Sequence, residues 1–160
     1  MVRPATLGDA ESIVNIYNYY VKNTTVTFEE EAVGVSEMRE RMREAFEKYA
    51  WLVYETEGKV VGYAYSSAWR SRPAYRYSVE VSVYLENGLS GKGIGSALYR
   101  ELLDRLIRLD LHSVIGGMAL PNDACIALHN KYGFGKVAHF KEVGYKFGKW
   151  IDVVYYEKIL

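Results

Sequence analysis

The chain has 160 residues, 49% of them hydrophobic and 25% charged, with twenty Lys and Arg balancing twenty Asp and Glu. That size and mixture fit one soluble globular domain with a core of ordinary size. Neutrality argues against a polybasic nucleic-acid surface, the lone Cys125 excludes an intrachain disulfide, and no apolar run is long enough to span a bilayer.

The opening residues, MVRPATLGDAES, lack the apolar stretch of a signal peptide, so a cytoplasmic location is expected. VRPAT reads as a first strand. DAESIVNIYNYYVKN follows as a helix, with Ile13, Ile16, Tyr17, Tyr20 and Val21 on one face and Thr6 or Asp9 as its cap. TTVTFEEEAVG reads as extended loop. SEMRERMREAFEKY is expected to be a second helix, capped by Ser36, with Met38, Met42, Ala45, Phe46 and Tyr49 as its buried stripe. WLVYE and VVGYAYSSAW are strands joined by a hairpin at Gly58, and Pro73 breaks the pattern in RSRPAYR. YSVEVSVYL is a further strand. A helix from Gly95 to Leu109 should bury Leu98, Leu102, Leu106 and Leu109. SVIGGMAL is a strand ending at Pro121, and NDACIALHNKY a short helix stopped by Gly133. Two last strands lie around VAHFKEV and WIDVVYYEKI, linked by GYKFGK. The order implies an α+β fold around one mixed sheet, without repeats or an interdomain linker.

The segment joining the third long strand to its helix, ENGLSGKGIGS, alternates Gly91, Gly93 and Gly95. It fails as a nucleotide-triphosphate loop, because Gly93 stands where a Ser or Thr must follow Gly-Lys. It also fails as a dinucleotide fingerprint, because the spacing is G-x-G-x-G. Glycines without Cβ at a helix start still let an anion meet successive N–H groups, with Lys92 as an added charge. A flexible turn without ligand is the competing reading.

Glu80 lies within YSVEVSVYL, on the side shared by Ser82 and Tyr84 and opposite Val79, Val81 and Val83. A carboxylate in a central strand costs desolvation unless it meets water, a donor or a substrate. Arg70 and Arg72 flank a turn and present forks suited to paired oxygens, or else form a solvated basic loop. No HExxH or paired-Cys spacing occurs, so no metal is expected. Cys125 and His129 are spaced i and i+4, yet a covalent Cys-His route needs both to face a cleft.

These residues carry a resemblance. SGKGIGSALY resembles the acetyl-coenzyme A loop of the GNAT N-acetyltransferase superfamily, with Ser90 in place of the usual Arg or Gln. Together with IYNYYVKNTTVTFEE, WRSRPAYRYSVEVSVYL, LPNDACIALHNKYGF and VGYKFGKWIDVVYYEK, it is similar to the phosphinothricin and methionine sulfoximine acetyltransferase branch across nearly the whole chain. The resemblance implies a twisted, mostly antiparallel sheet whose central parallel strands splay apart, with helices on both faces. It implies a homodimer and transfer of acetyl from acetyl-coenzyme A to the α-amino group of a small amino acid or analogue.

By the same resemblance Glu80 is the expected general base, removing the ammonium proton directly or through water. Val81, Ser82 and Val83 would bind pantetheine through their main chain, and a nearby N–H would hold the developing negative oxygen. Ser90, Gly91, Lys92, Gly93, Ile94, Gly95 and Ser96 would hold the phosphates, and Asn122 would reach the cofactor region while capping its helix. Arg72, more than Arg70, would hold the acceptor's acidic group, with Phe28 walling its side chain and Lys146 nearby. His129 occupies the place of a tyrosine that protonates the leaving thiolate, so it would donate a proton or orient the cofactor. A peptide N-terminus or polyamine as acceptor, and a non-catalytic acyl-coenzyme A sensor, are the competing functions. The basic RSR turn disfavours a polyamine.

Overall fold

The computed structural model describes residues 1–160. Strand β1 (Val2–Pro4) leads into helices α1 (Ala10–Asn23) and α2 (Val35–Phe46), then into the antiparallel strands β2 (Trp51–Thr56), β3 (Lys59–Ala68) and β4 (Ser78–Leu85). Helix α3 (Ile94–Arg108), strand β5 (Ser113–Ala119), helix α4 (Asp123–Lys131) and the hairpin β6 (Gly135–Lys146) and β7 (Lys149–Ile159) complete the chain. Seven strands form one sheet in the order β1-β2-β3-β4-β5-β7-β6. Every neighbouring pair is antiparallel except β4 and β5.

Helices cover both faces, as the alternation of the strands requires. One core joins Leu98, Leu102 and Leu106 of α3 to Val79 and Val81 of β4 and Val114 of β5. The other joins Ile13, Tyr17 and Val21 of α1 and Met38 and Met42 of α2 to Trp51, Val53 and Tyr63. No helix is long and apolar enough to cross a membrane.

The parallel pairing positions the site. It runs only from Ser78↔Ser113 through Val79↔Val114 to Glu80↔Ile115. Beyond Glu80, β4 stays on β3 as far as Gly62↔Leu85, while β5 stays on β7 from Gly116 to Ala119. The two strands therefore part at Glu80. Every second residue of the opened β4 stretch turns its N–H and C=O into the gap.

Several local expectations need correction. Helix α2 starts at Val35 with Gly34 as its cap, so Ser36 lies inside it. The Asn18 side chain fixes this entry by donating to Val33 O and accepting from Val33 N, both at 2.9 Å. Phe46 is exposed and Tyr49 only half-buried, so the α2 stripe is Met38, Met42 and Ala45. Leu109 follows the end of α3, where Asp110 turns to φ 55, and is 47% exposed. GYK belongs to β6, because the link to β7 is only Phe147 and Gly148, with φ 52 and 71. Two consecutive residues of positive φ make the tight turn that suits strand twist. Asp9 caps no helix N–H of α1. It accepts instead from Arg3 through both oxygens and from Thr6 N.

Candidate active site

Where β4 and β5 part, two depressions meet at Val26. The first is a cavity of about 630 Å³ reached by Glu80, Arg70, Trp69, Phe28, Gly117 and Tyr155, with Phe140 and Val143 of β6 on its outer side. The second is a groove of about 560 Å³ between the glycine turn and α4. Val26 borders both, so the groove and the cavity are neighbours.

Glu80 has no hydrogen-bonding or ion-paired partner within hydrogen-bond distance in the chain, although it is half-buried. Burial raises its pKa above the ordinary glutamate value, and the nearby Arg70 charge partly opposes the rise. This is the environment of a proton acceptor working nearer neutrality. Gly117 makes the space for it. A Cβ there would stand 3.3 Å from Glu80 Oε1 and 2.8 Å from the Tyr155 ring. Neither Gly117 nor Tyr155 stood out in the sequence, because the approach depends on β5 and β7 lying beside β4.

The two arginines are not equivalent. Arg70 borders the Glu80 cavity, with its guanidinium 5.0 Å from the Trp69 ring centroid. Arg72 borders an adjoining surface cleft that shares Trp69 and Arg70 with the cavity, and it precedes the short helical turn Pro73–Tyr75. Arg70 is thus the nearer of the two to Glu80. Phe28 does wall the cavity and is 42% exposed.

Lys146 does not reach the cavity. It is 1% exposed and donates to Thr27 O at 2.7 Å, and burial lowers its pKa. Its work is to fasten the segment between α1 and α2, not to touch an acceptor.

The glycine turn has the backbone that an anion cradle needs. Gly91 and Gly93 have φ 79 and 81, with open space where their Cβ atoms would be. Gly93 caps α3, whose first N–H groups lack helical acceptors. Val83, Ser90, Gly91, Gly93, Gly95, Ser96 and Asn122 all border the groove. The remaining expected contacts are main-chain ones or lie off the groove. Val81 and Ile94 point their side chains into the core, Lys92 is exposed beyond the groove, and the Ser82 side chain faces Tyr65. Val81 and Ser82 retain only their main chain for a ligand. Asn122 accepts from Cys125 N at 3.3 Å, as a cap does. Lys131 joins the groove without a signal in the sequence: its Nζ donates to Ser96 Oγ at 2.9 Å, placing a cation beside the start of α3. Its distance in sequence from the glycines hides this.

His129 is 2% exposed and borders neither depression. Nδ1 lies 2.8 Å from Cys125 O, an acceptor, so Nδ1 carries the proton. Nε2 then accepts from Tyr99 Oη at 2.7 Å. Burial lowers the pKa and keeps the ring neutral. Both nitrogens are spent, and a Cβ on Gly116 would lie 2.1 Å from Nε2. His129 is packed from α4 against β5 and Tyr99, an arrangement that favours the structural role over proton donation. Burial also pushes the Cys125 thiol up to about 12, which disfavours a covalent route. No group of three or more His, Cys, Asp or Glu side chains is placed to hold a metal ion.

A sheet opened between its parallel strands, a glycine cradle before a helix and a carboxylate at the opening together define an acetyl-coenzyme A-dependent N-acetyltransferase. The chain belongs to the acetyltransferase (GNAT) domain family, which it matches over residues 2–155. It is 40% identical to a phosphinothricin N-acetyltransferase of Streptomyces coelicolor, over 99% of this chain and 95% of that protein. It is 36% identical to an L-methionine sulfoximine/L-methionine sulfone acetyltransferase of Salmonella typhimurium, over 96% and 91%. Among solved structures, a phosphinothricin acetyltransferase from Sinorhizobium meliloti in complex with acetyl-coenzyme A superposes with a TM-score of 0.97. That match has 38% identity and covers 100% of this chain and 88% of the other.

Proposed function

We propose that the 160 residues act as one catalytic domain that acetylates the α-amino group of a small amino acid or analogue of the phosphinothricin, methionine sulfoximine or methionine sulfone kind. The observation that carries this reading is the unpartnered Glu80 carboxylate, at the strand parting, in a cavity that shares Val26 with the glycine-bordered groove. The relatives' acceptors are amino acids or close analogues by name.

Acetyl-coenzyme A supplies an activated acetyl thioester when it is bound. The turn from Ser90 to Ser96 holds its phosphates through main-chain N–H groups, with Lys131 adding charge, which offsets the absence of an Arg or Gln at position 90. The opened edge of β4 around Val81, Ser82 and Val83 receives the amide-bearing arm as an added strand. Arg70 orients the acceptor's carboxylate or other acidic group. Glu80 accepts a proton from the ammonium, directly or through water, which leaves the nitrogen lone pair free to attack. The apolar walls, Trp69 and Phe28 among them, exclude water and receive the acceptor side chain.

The molecule works as a homodimer in this reading. Val137, Phe140 and Val143 of β6 border the cavity yet are exposed, and Tyr145, Phe147 and Trp150 extend the same hairpin as exposed apolar surface. Large exposed apolar side chains concentrated on one hairpin are a usual mark of an interface.

The test is thiol release from acetyl-coenzyme A with methionine sulfone, methionine sulfoximine, phosphinothricin, a polyamine and a short peptide. Turnover is expected with the amino-acid analogues. Silence across them while coenzyme A still binds would identify a sensor, and turnover with the peptide or polyamine alone would move the acceptor class.

A further inference from the structure

The ring of Phe28 rests where the Cβ of residue 144 would be. A Cβ built on Gly144 would lie 2.3 Å from Phe28 Cζ and 2.4 Å from Cε2. Gly144 is buried, and it lies where β6 regains its register with β7 after an irregularity between Phe140 and Gly144. Its φ is not in the left-handed region, so the backbone alone does not require glycine. What requires it is the aromatic ring.

The segment carrying that ring is fastened on both sides. Before it, Thr27 Oγ1 is 2.8 Å from Tyr17 Oη, and Thr27 O accepts from the buried Lys146 at 2.7 Å. After it, Glu29 accepts from Arg41 through both oxygens, at 3.0 and 2.6 Å, and from Tyr17 Oη. Thus α1, α2 and β6 hold residues 27 and 29, and the backbone of Phe28 has little freedom to retreat.

We propose that Gly144 is a specificity-determining residue. Its missing side chain seats the Phe28 ring back against β6 and so sets how long an acceptor side chain the cavity admits. This rests on the amino-acid acceptor reading and deepens it. A methyl group at position 144 displaces the ring from its seat, and the cavity that the ring walls lies beside it. The acetyl-coenzyme A groove does not include Gly144 or Phe28 and is left unchanged.

The experiment compares the parent, Gly144→Ala, and Gly144→Ala combined with Phe28→Leu, on methionine sulfone and on alanine. Loss of a methylene's worth of room is expected to lower kcat/KM for methionine sulfone by about tenfold or more, mainly through KM. Alanine and the KM for acetyl-coenzyme A should change by less than about threefold. Phe28→Leu removes the ring atoms that collide, so the double variant should recover methionine sulfone. An equal loss on both acceptors, or a loss that Phe28→Leu does not relieve, overturns the proposal. If Gly144→Ala does not fold, the double variant decides: it should fold and use methionine sulfone if the ring is the obstacle. A parent that acetylates no amino acid overturns the acceptor reading itself, whereas an active parent with an unaltered Gly144→Ala variant overturns only the role of Gly144.

Discussion

At the scale of single residues, the site rests on two charges set against each other. Glu80 is pushed up by burial and held down in part by Arg70. Activity needs the ionised carboxylate, so the acid limb of the pH–kcat/KM profile should follow Glu80 and lie above the ordinary glutamate range. Removing the opposing cation with Arg70→Gln should move that limb to still higher pH and raise the acceptor KM. A limb that stayed put, or moved to lower pH, would detach Arg70 from the base. Glu80→Gln should reduce kcat by roughly 10²–10⁴-fold while a calorimetric titration shows coenzyme A binding retained. His129 serves as the contrast. Its protons and lone pairs are committed to Cys125 O and Tyr99 Oη, so His129→Gln should reduce thermal stability without creating a new limb in the pH profile. Gly117→Ala should resemble Glu80→Gln more than a folding defect, because the added methyl displaces the carboxylate and the Tyr155 ring.

At the scale of elements, sequence pattern reveals what is local and hides what depends on neighbours. The period of YSVEVSVYL places Glu80 opposite the apolar face, and the glycines before α3 mark a cradle, because both signals lie within one segment. Gly117, Lys131 and Gly144 matter only through contacts with Glu80, Ser96 and Phe28, which the sheet order brings together. The choice between Arg70 and Arg72 turns on which way a short loop faces, and residue spacing does not encode that. The edge strand β1 shows the same dependence. Arg3 bridges Asp9, which lies just before α1, and Glu55 on β2. Asp9 is buried, and the bond from Arg3 is the main reason that its pKa falls below the ordinary aspartate value. A folded-state pKa below the unfolded one gives stability that is complete above the unfolded value and disappears as pH falls through the folded value. Asp9→Asn should therefore cost about 1–3 kcal/mol at neutral pH and flatten the acid side of a plot of Tm against pH. A variant as acid-sensitive as the parent would remove Asp9 from that role.

At the scale of the whole molecule, the hairpin β6–β7 stands out, because Val137, Phe140, Val143, Tyr145, Phe147 and Trp150 are all exposed on it. Trp150 is 65% exposed and packs on Tyr145 with ring centroids 4.8 Å apart, while Phe147 occupies the turn itself. Large aromatic rings on a sheet edge are a liability in a solitary chain and an asset at a symmetric contact. The irregularity between Phe140 and Gly144 adds to the argument. Asp152 holds it by accepting from Glu142 N at 2.8 Å and pairing with His139, so the hairpin keeps one shape that a second copy can match. Light scattering behind size-exclusion chromatography should give the mass of two chains at micromolar concentration, and Trp150→Glu should shift the population towards one. The same substitution reaches catalysis only through the contact as a whole, since Phe140 and Val143, not Trp150, border the acceptor cavity on its outer side. If the second copy closes that side, a dissociated variant should show a raised acceptor KM with the acetyl-coenzyme A KM preserved, and raising the protein concentration should restore it. A parent that elutes as a single chain at all concentrations while remaining fully active would show that the hairpin's aromatic face serves some other contact.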